Sequence, residues 1–359
     1  MLQSTEKLTW GLVISTYKRE AILPRCLSLA AQQTLPPKEI IVVDASSYWE
    51  RTRVQIMQEL AIKYPTIDWK YVQAKRASLT TQRNQGIDLA TADILFLIDD
   101  DSLMYPDCAE EIMRIYASDT EHKIVAIISD LVQIPPDQET EVNQQERINS
   151  LTKLKVSLTQ LHQFFSRYYS DKKLRLLYYY KDFPKPTLSD KFKNMAVTHY
   201  FPMHGARMTY RREIFNQLRF EELLERSGVG EDVDMSFRAS RLGLQLCAKK
   251  AKICHLKAAE GRLSLFTAKA LWGVKVTVLH RLHSDNLVRS KRRLSKLFIY
   301  ELIVKAFSDL LSLRLSFPAS RGIFLGYKYY KHILSMEEEK LRIWYPQFQQ
   351  ELIRRNNVN

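Results

Sequence analysis

The sequence predicts an α/β fold: a mainly parallel sheet flanked by helices, followed by a helical C-terminal extension. Short apolar runs alternate with helical stretches through about residue 130, which is typical of an open α/β sheet. Residues 94–98 are five consecutive apolar residues without a helical period, which predicts a strand buried on both faces. Beyond Gly261, long helical patterns replace the short strands.

The first 130 residues contain the predicted sheet. Strands are predicted at residues 10–15, 39–43, 67–72, 94–98 and 123–128. Helices are predicted between them at residues 23–33, 51–64 and 80–90. Pro36 and Pro65 mark where the first two of these helices end, because proline cannot continue a helix and disfavours helical backbone before it.

Residues 138–195 are polar, then aromatic and basic, and they lack strand alternation. One or two helices are predicted here, either as an insertion that covers a binding site or as support for the core. From residue 196 the chain returns to compact structure, with a turn at Gly205, a short strand after it, and a glycine turn into a helix at Glu231.

Beyond Gly261, helices are predicted at residues 265–281 and 294–315, with a basic run between them. An apolar stripe on the second helix consists of Leu294, Phe298, Leu302, Ala306 and Leu310. This helix is too charged to span a bilayer. It suits either packing onto the first domain or lying at a membrane interface, and both alternatives stay open.

The chain has 359 residues, of which 45% are hydrophobic and 26% charged, and its formal net charge is +14. This composition excludes a disordered protein, and the basic balance predicts an anionic partner: nucleic acid, a phosphorylated small molecule or an anionic membrane surface. Neither a signal-peptide pattern nor an apolar run of about 20 residues occurs. The four cysteines are scattered, which favours free thiols and a cytoplasmic protein.

Polar or acidic residues follow three of the predicted strands: Thr16, Asp44 and the run Asp99, Asp100, Asp101. In open α/β sheets ligands bind at the carboxyl ends of the strands, so these side chains should converge on one rim. Clustered carboxylates raise each other's pKa unless a cation offsets them, and Mg²⁺ or Mn²⁺ prefers such oxygen ligands. The alternative is that the aspartates cap a helix. No glycine-rich dinucleotide fingerprint follows the first strand, which argues against a nicotinamide or flavin enzyme.

The motifs together resemble glycosyltransferase family two, the inverting nucleotide-sugar glycosyltransferases. The matching segments occur in the family's order at residues 13–19, 40–44, 83–86, 96–101 and 230–234, and His255 stands where the family has a late histidine. The resemblance covers roughly the first two thirds of the chain. It implies the Rossmann-like nucleotide-diphosphosugar transferase fold of type A glycosyltransferases.

The resemblance also implies roles for the matching residues. Asp232 would be the catalytic base, with Glu231 positioning the acceptor. Asp101, Asp99 and His255 would hold Mg²⁺ or Mn²⁺. The donor would be bound by Thr16, Tyr17, Arg19, Asp44, Arg83, Asp99 and Asp100. In an extended chain Asp99 and Asp101 face one side and Asp100 the other. Ser15 replaces a frequent proline, and Ala45-Ser46 replaces an acid-glycine pair, which leaves the donor nucleotide open.

The predicted function is inverting transfer of a sugar from a nucleotide-diphosphate sugar to a hydroxyl of a glycan or lipid-linked acceptor, in bacterial surface polysaccharide or glycolipid assembly. The protein would be cytoplasmic, with peripheral contact to an anionic inner membrane as an option and no nucleic-acid partner. The catalytic domain would span residues 1–262, with a nucleotide-binding part at about 8–130, the insertion at about 138–195 and an acceptor part at about 196–262. Residues 263–359 would form the helical extension.

Two alternatives remain. A Mg²⁺-dependent nucleotidyltransferase acting on sugar phosphates could use a similar sheet and paired acids, but it would want a glycine-rich basic loop after the first strand, and residues 15–18 are not one. A basic nucleic-acid-binding protein should present aromatic and basic residues on one face, whereas the motifs here place acids at the centre of the site.

Overall fold

A computed structural model describes residues 7–138, 188, 192, 194–224, 230–256 and 263–356. The described residues form two compact units, one within residues 7–256 and one within residues 263–356. Most of the predicted insertion at about 138–195 lies outside the described residues, as does Gly228 of the predicted glycine turn. The functional domain boundaries stay predictions.

The first unit is built on one mixed sheet of nine strands drawn from the described residues. In chain order they are β1 (Trp10–Thr16), β2 (Glu39–Asp44), β3 (Asp68–Gln73), β4 (Ile94–Asp99), β5 (Ser102–Met104), β6 (Ile124–Val132), β7 (Val197–His199), β8 (Met208–Arg211) and β9 (Leu244–His255). The order across the sheet is β3-β2-β1-β4-β8-β6-β9-β5, and β7 also pairs with β9.

The parallel half of the sheet follows the sequence prediction closely. Strands β3, β2, β1 and β4 are parallel neighbours, and β1, β2 and β4 are buried along almost their whole length. This burial on both faces explains why their sequences are continuous apolar runs rather than alternating ones. The predicted α/β class is confirmed.

Helices cover this sheet and connect its parallel strands. They are α1 (Leu23–Ala31), α2 (Trp49–Ile56), α3 (Leu79–Leu89), α4 (Cys108–Ser118) and α5 (Glu231–Ala239). A π-helical turn, Met57–Ala61, continues α2, so the predicted helix at 51–64 is present but irregular. Two core clusters lie among the buried side chains of this unit.

The other half of the sheet is largely antiparallel. The sequence predicted β6 and a short strand after Gly205, which is β8, but it did not predict β5, β7, β9 or the antiparallel pairing. Strand β8 pairs antiparallel with β4 and β6, and β9 carries β5 and β7 as antiparallel neighbours. Strand β9 contains three exposed lysines, at positions 249, 250 and 252, which interrupt its apolar run in the sequence. Its pairing with β5 places His255 opposite Ser102, the residue after the three aspartates.

The second unit consists of four helices: α6 (Leu265–His283), α7 (Leu287–Leu311), α8 (Pro318–Ser335) and α9 (Glu338–Asn356). Leu294, Phe298, Ile323 and other apolar side chains of α6, α7 and α8 form one core cluster. The Asp309 carboxylate at the end of α7 accepts the backbone N–H of Ala319 and of Ser320, each at 3.0 Å, and so caps α8. In the described parts of the chain, none of the helices combines the length and apolar character needed to cross a membrane.

Helix α7 differs from the prediction in its start and in its buried face. It begins at Leu287, so most of the predicted basic run lies inside its first turns rather than between helices. Along the predicted stripe, Leu294 and Phe298 are buried but Leu310 is 53% exposed. Positions four residues apart advance by about 40° around a helix, so a stripe of five such positions turns from the core to solvent.

Helices α6 and α8 cross at two glycines. A Cβ atom at Gly326 would lie 2.7 Å from the backbone Cα and carbonyl carbon of Gly273, which no side-chain movement can relieve. Overpacking in the G326A variant should therefore lower the free energy of unfolding of the second unit by about 1–3 kcal/mol. The higher helix propensity of alanine, worth about 1 kcal/mol, acts in the opposite direction. Urea unfolding measures the change, and K328A, at an exposed position of the same helix, is the control. An unchanged or raised stability for G326A would contradict the close crossing.

Candidate active site

The carboxyl ends of β1, β2 and β4 form one rim of the sheet. Thr16 is the register partner of Asp44, and Ser15 is the register partner of Asp99. The Gln82 side-chain amide, on α3, donates to the backbone carbonyls of Thr16 and Val43 at 2.9 and 2.8 Å. This buried amide holds the ends of β1 and β2 together, and sequence reasoning did not single it out.

Asp99, Asp101 and His255 form a compact cluster at this rim. Each offers one ligand atom, and these atoms all lie within 4.8 Å of one another. The His255 Nε2 lies 3.0 Å from the nearer Asp101 carboxylate oxygen and 3.8 Å from an oxygen of Asp99. The end of β4 supplies Asp99, the tight turn before β5 supplies Asp101, and the β5–β9 pairing brings His255 next to them.

This cluster fits a divalent cation by its donor chemistry. Two carboxylates are the ligands preferred by Mg²⁺ and Mn²⁺, and one imidazole is better suited to Mn²⁺ than to Mg²⁺. The Asp101 side chain is only 6% exposed, whereas those of Asp99 and His255 are 33% and 22% exposed, so the cluster opens on one side. An ion there could bind these three side chains and still accept oxygen ligands from a substrate.

Asp100 points into the sheet rather than toward the cluster. The Thr16 hydroxyl donates to its carboxylate at 2.7 Å, in a buried contact between β1 and the turn after β4. The pKa of Asp100 is raised to about 7: burial is the largest cause and the charges of Asp101 and Asp99 add to it, while the Thr16 hydrogen bond and the Arg19 charge act in the opposite direction. Asp100 therefore links two strand ends.

Arg83, on α3, lies at the centre of the site with its side chain only 2% exposed. Its guanidinium donates to Asp99 at 3.1 Å, to Glu231 at 2.7 Å and to the Gly205 carbonyl at 3.2 Å. Its Cζ also lies 5.3 Å from the centre of the Phe220 ring. A Cβ at position 205 would lie 2.9 Å from the guanidinium, so glycine there permits this close approach.

These contacts set the electrostatics of Asp99. Desolvation raises the pKa of Asp99, and the charges of Asp101 and Asp232 add to that effect. The charges of Arg83 and His255 act in the opposite direction. Asp232 is thus close enough to Asp99 for its charge to affect the pKa of that carboxyl. The two acidic motifs therefore belong to one site.

Glu231 and Asp232 begin helix α5, whose N-cap residue Gly230 has φ 94°, a left-handed conformation that favours glycine. Glu231 is buried and paired with Arg83. Asp232 is half-buried, and one of its carboxylate oxygens accepts the Gly205 backbone N–H at 3.0 Å. Of the two acids, only Asp232 has the partial exposure that a proton acceptor for an incoming hydroxyl needs.

A cavity of about 690 Å³ lies beside the ends of β1 and β2. Residues Lys18, Glu20, Ser46, Ser47, Tyr48, Arg51, Thr52 and Gln55 line it. The Ser46 hydroxyl accepts the Lys18 backbone N–H at 2.7 Å, which joins the two loops that form its mouth. Basic side chains and hydroxyls beside a β-strand rim could bind an anionic nucleotide.

The other predicted donor residues lie at the same rim. Asp44 is buried, and its carboxylate accepts the Tyr71 hydroxyl at 2.6 Å and the Ser46 backbone N–H at 2.7 Å. Tyr17 is 45% exposed, with the Lys18 ammonium 5.3 Å from its ring centre. Arg19 is half-buried, and its charge reaches Asp100. Sequence reasoning missed Arg51 and Gln82, since neither belongs to a recognisable motif.

Comparison with known proteins agrees with this architecture. The sequence model of Glycosyl transferase family 2 matches residues 12–218, which is more than half of the chain. EpsH of Bacillus subtilis (strain 168), which bears the name of a glycosyltransferase, is 27% identical over 113 residues, 31% of this chain and 31% of EpsH. YibD of Escherichia coli (strain K12), an uncharacterized glycosyltransferase, is 28% identical over 119 residues, 33% of each chain. The matches thus span about a third of these relatives.

One solved structure with similarity to the chain is the mannosyltransferase PcManGT from Pyrobaculum calidifontis in complex with GDP-Man and Mn²⁺. The sequence identity is 13%, the match covers 91% of this chain and 88% of that one, and the TM-score is 0.47. A similarity at this level carries no information about the donor or the metal of the present chain.

The R83M substitution should destabilise the first unit by about 3–5 kcal/mol, because it leaves the buried Glu231 and the partly buried Asp99 without their counter-charge. The Arg83 charge lowers the pKa of Asp99, so its removal raises that pKa. A raised carboxyl pKa makes stability fall as pH rises through it, so the deficit of R83M relative to wild type should grow with pH. Urea unfolding across a pH series measures this.

R219M is the matched control for R83M. Arg219 pairs with Asp88 on the surface, where the two side chains are 45% and 55% exposed, so this substitution should cost at most about 1 kcal/mol. If R83M and R219M cost the same at every pH, Arg83 does not compensate the acids of the site.

Proposed function

The chain belongs to glycosyl transferase family 2, and we propose that it transfers a sugar from a nucleotide-diphosphate donor to a hydroxyl acceptor with inversion at the anomeric carbon. The observation that carries this proposal is the juxtaposition of the Asp99–Asp101–His255 cluster with Asp232 around buried Arg83. One part of such a site suits the departing diphosphate, and the other suits removal of a proton.

Asp232 is the residue that we assign as the base. In a single displacement the acceptor hydroxyl attacks the anomeric carbon from the side opposite the leaving group and loses its proton. The Asp232 carboxylate has the partial exposure to accept that proton, and the Gly205 N–H fixes its orientation. Glu231 does not suit this role because it is paired with Arg83 in the interior, where it positions the start of α5.

Asp99, Asp101 and His255 are the residues that we assign to a divalent cation, Mg²⁺ or Mn²⁺. When bound, such a cation stabilises the negative charge that develops on the departing diphosphate. The chain's own contribution is to hold two carboxylates and an imidazole within reach of one another at the rim where the donor would lie. The cavity beside Lys18 and Arg51 is the proposed nucleotide pocket.

The acceptor that we propose is a glycan or a lipid-linked sugar of a bacterial cell surface, which the basic character of the chain suits. The four cysteines, Cys26, Cys108, Cys247 and Cys254, are all free and buried, which is consistent with the cytoplasmic location proposed for the reaction. No observation favours a nucleotidyltransferase, because residues 15–18 do not form a glycine-rich phosphate loop.

A nucleoside diphosphate should stabilise the protein only when a divalent cation is present. With UDP, GDP or dTDP at about 100 times its Kd, the stabilisation should be about 2.7 kcal/mol, a rise of a few degrees in Tm. The D101N variant should lose the part of this stabilisation that depends on Mn²⁺, because the substitution removes a charged ligand of the cluster. Thermal unfolding with and without Mn²⁺ measures both effects.

D107N is the control for D101N, since Asp107 is an exposed aspartate six residues further along the chain. It should retain the full Mn²⁺-dependent shift. If no nucleotide stabilises the wild type in a metal-dependent way, the proposed donor chemistry is wrong. If D101N responds as D107N does, the metal assignment alone is wrong.

D232N should reduce sugar transfer or donor hydrolysis by about 10²–10⁴-fold, because the amide cannot accept the proton of the attacking hydroxyl. Release of nucleoside diphosphate from a panel of UDP-, GDP- and dTDP-sugars measures the rate. The Mn²⁺-dependent stabilisation by nucleotide should be unchanged, and it serves as the internal control for folding and donor binding. Turnover by D232N at the wild-type rate would remove the base assignment.

A further inference from the structure

Helix α7 and the loop after it contain an exposed apolar surface that the proposed chemistry does not use. More than half of the exposed large apolar side chains among the described residues lie between positions 287 and 315. On α7, Ile299, Ile303, Phe307 and Leu310 are 50%, 67%, 61% and 53% exposed. A concentration of this kind on one element indicates an interaction surface, whereas single exposed apolar residues need no explanation.

The exposed residues form one continuous stripe along the helix. Arg292, Lys296, Ile299, Ile303, Phe307 and Leu310 are spaced three or four residues apart, so they lie within one narrow arc of the helix surface over about 27 Å. We call this the α7 stripe. Its opposite face, with Leu294, Leu297 and Phe298, is buried in the second unit. The helix is therefore apolar on two faces, of which the fold covers one.

The charged side chains on the surface of α7 favour an anionic partner. Its two acidic residues, Glu301 and Asp309, are 3% and 0% exposed, so neither presents its charge on the surface. By contrast, Lys291, Arg292 and Lys296 in its first turns are exposed. The surface of α7 thus combines cations at its start with apolar side chains along the rest of the α7 stripe. An amphipathic helix of this composition suits an anionic lipid surface.

The loop after α7 extends the same apolar character. Leu313 and Leu315 are 83% and 78% exposed, the two highest values among the large apolar side chains described. Leucines at a loop tip that follows an interfacial helix can enter the acyl region while the basic turns contact headgroup phosphates. A second copy of this chain fits less well, because stripe-to-stripe contact would bring cations against cations or against apolar side chains.

We propose that the α7 stripe, with Leu313 and Leu315, docks this protein on an anionic membrane surface. Electrostatic attraction to the phosphates supplies the first part of the affinity and is screened by salt. Burial of the apolar side chains supplies the second part, which salt does not weaken. This inference is independent of the proposed transferase chemistry, because it concerns binding without turnover.

The test is vesicle binding by the full-length protein. Vesicles of phosphatidylcholine with phosphatidylglycerol should capture the protein in a flotation assay, whereas phosphatidylcholine alone should capture much less. The R292Q/K296Q variant should bind the anionic vesicles about 25-fold more weakly, since each basic residue near such a surface contributes about fivefold. The I303E/F307E variant should lose binding to an extent that low salt does not restore.

I62E is the matched control for I303E/F307E. Ile62 is 73% exposed, close to the 67% of Ile303, but it lies in the first unit. I62E should bind as wild type does, and circular dichroism should show the same helix content in all variants. Equal binding to neutral and anionic vesicles would overturn the proposal. A loss of vesicle binding by I62E equal to that of I303E/F307E would also overturn it. So would a wild-type dimer in light scattering that the I303E/F307E substitutions dissociate, if vesicles capture neither the wild type nor the variant.

Discussion

The contact on which the site depends is the guanidinium of Arg83 between Asp99 and Glu231. It joins the end of β4, the start of α5 and the loop at Gly205, which come from three distant parts of the chain. Because the group is almost fully buried, its charge is poorly screened and its removal leaves acids without compensation. The close approach of Gly205 and the ring of Phe220 complete its surroundings. Asp99 and Glu231, which belong to the two separate acidic motifs, are therefore held together by one side chain.

This network explains why an excess of negative charge can persist at the rim. The charges of Asp101 and Asp232 raise the pKa of Asp99. Asp100, whose own pKa is raised, accepts a hydrogen bond from the Thr16 hydroxyl. Arg83 forms an ion pair with Asp99 on one side of the cluster, and the His255 Nε2 lies 3.0 Å from Asp101 on the other. Under the proposed assignment, a site with more carboxylates than fixed cations would favour a divalent cation. Metal binding and donor binding would therefore be coupled through charge.

The sequence predicted the parallel half of the sheet because β1, β2 and β4 are buried on both faces and must be apolar throughout. It did not predict β9, whose three exposed lysines interrupt its apolar run, or β5, which is three residues long. The acidic motifs were recognisable locally, whereas their convergence depends on long-range pairing. Arg83 was predicted to bind the donor, which stays a prediction, whereas its ion pairs with Asp99 and Glu231 were not predicted. When the contacts of a side chain come from loops distant in the sequence, the local sequence does not indicate them.

Helix α7 shows that a local sequence pattern can also predict a buried face that the structure does not have. A spacing of four residues suggests one apolar face, yet the stripe from Leu294 to Leu310 turns by about 160° and passes from the core to solvent. The buried face needs positions such as Leu294, Leu297 and Phe298, and the exposed face uses Ile299, Ile303 and Phe307. Packing within the second unit accounts for the first set alone. The proposed membrane surface would remove the second set from water, and the burial of both acids of α7 suits a surface that is anionic.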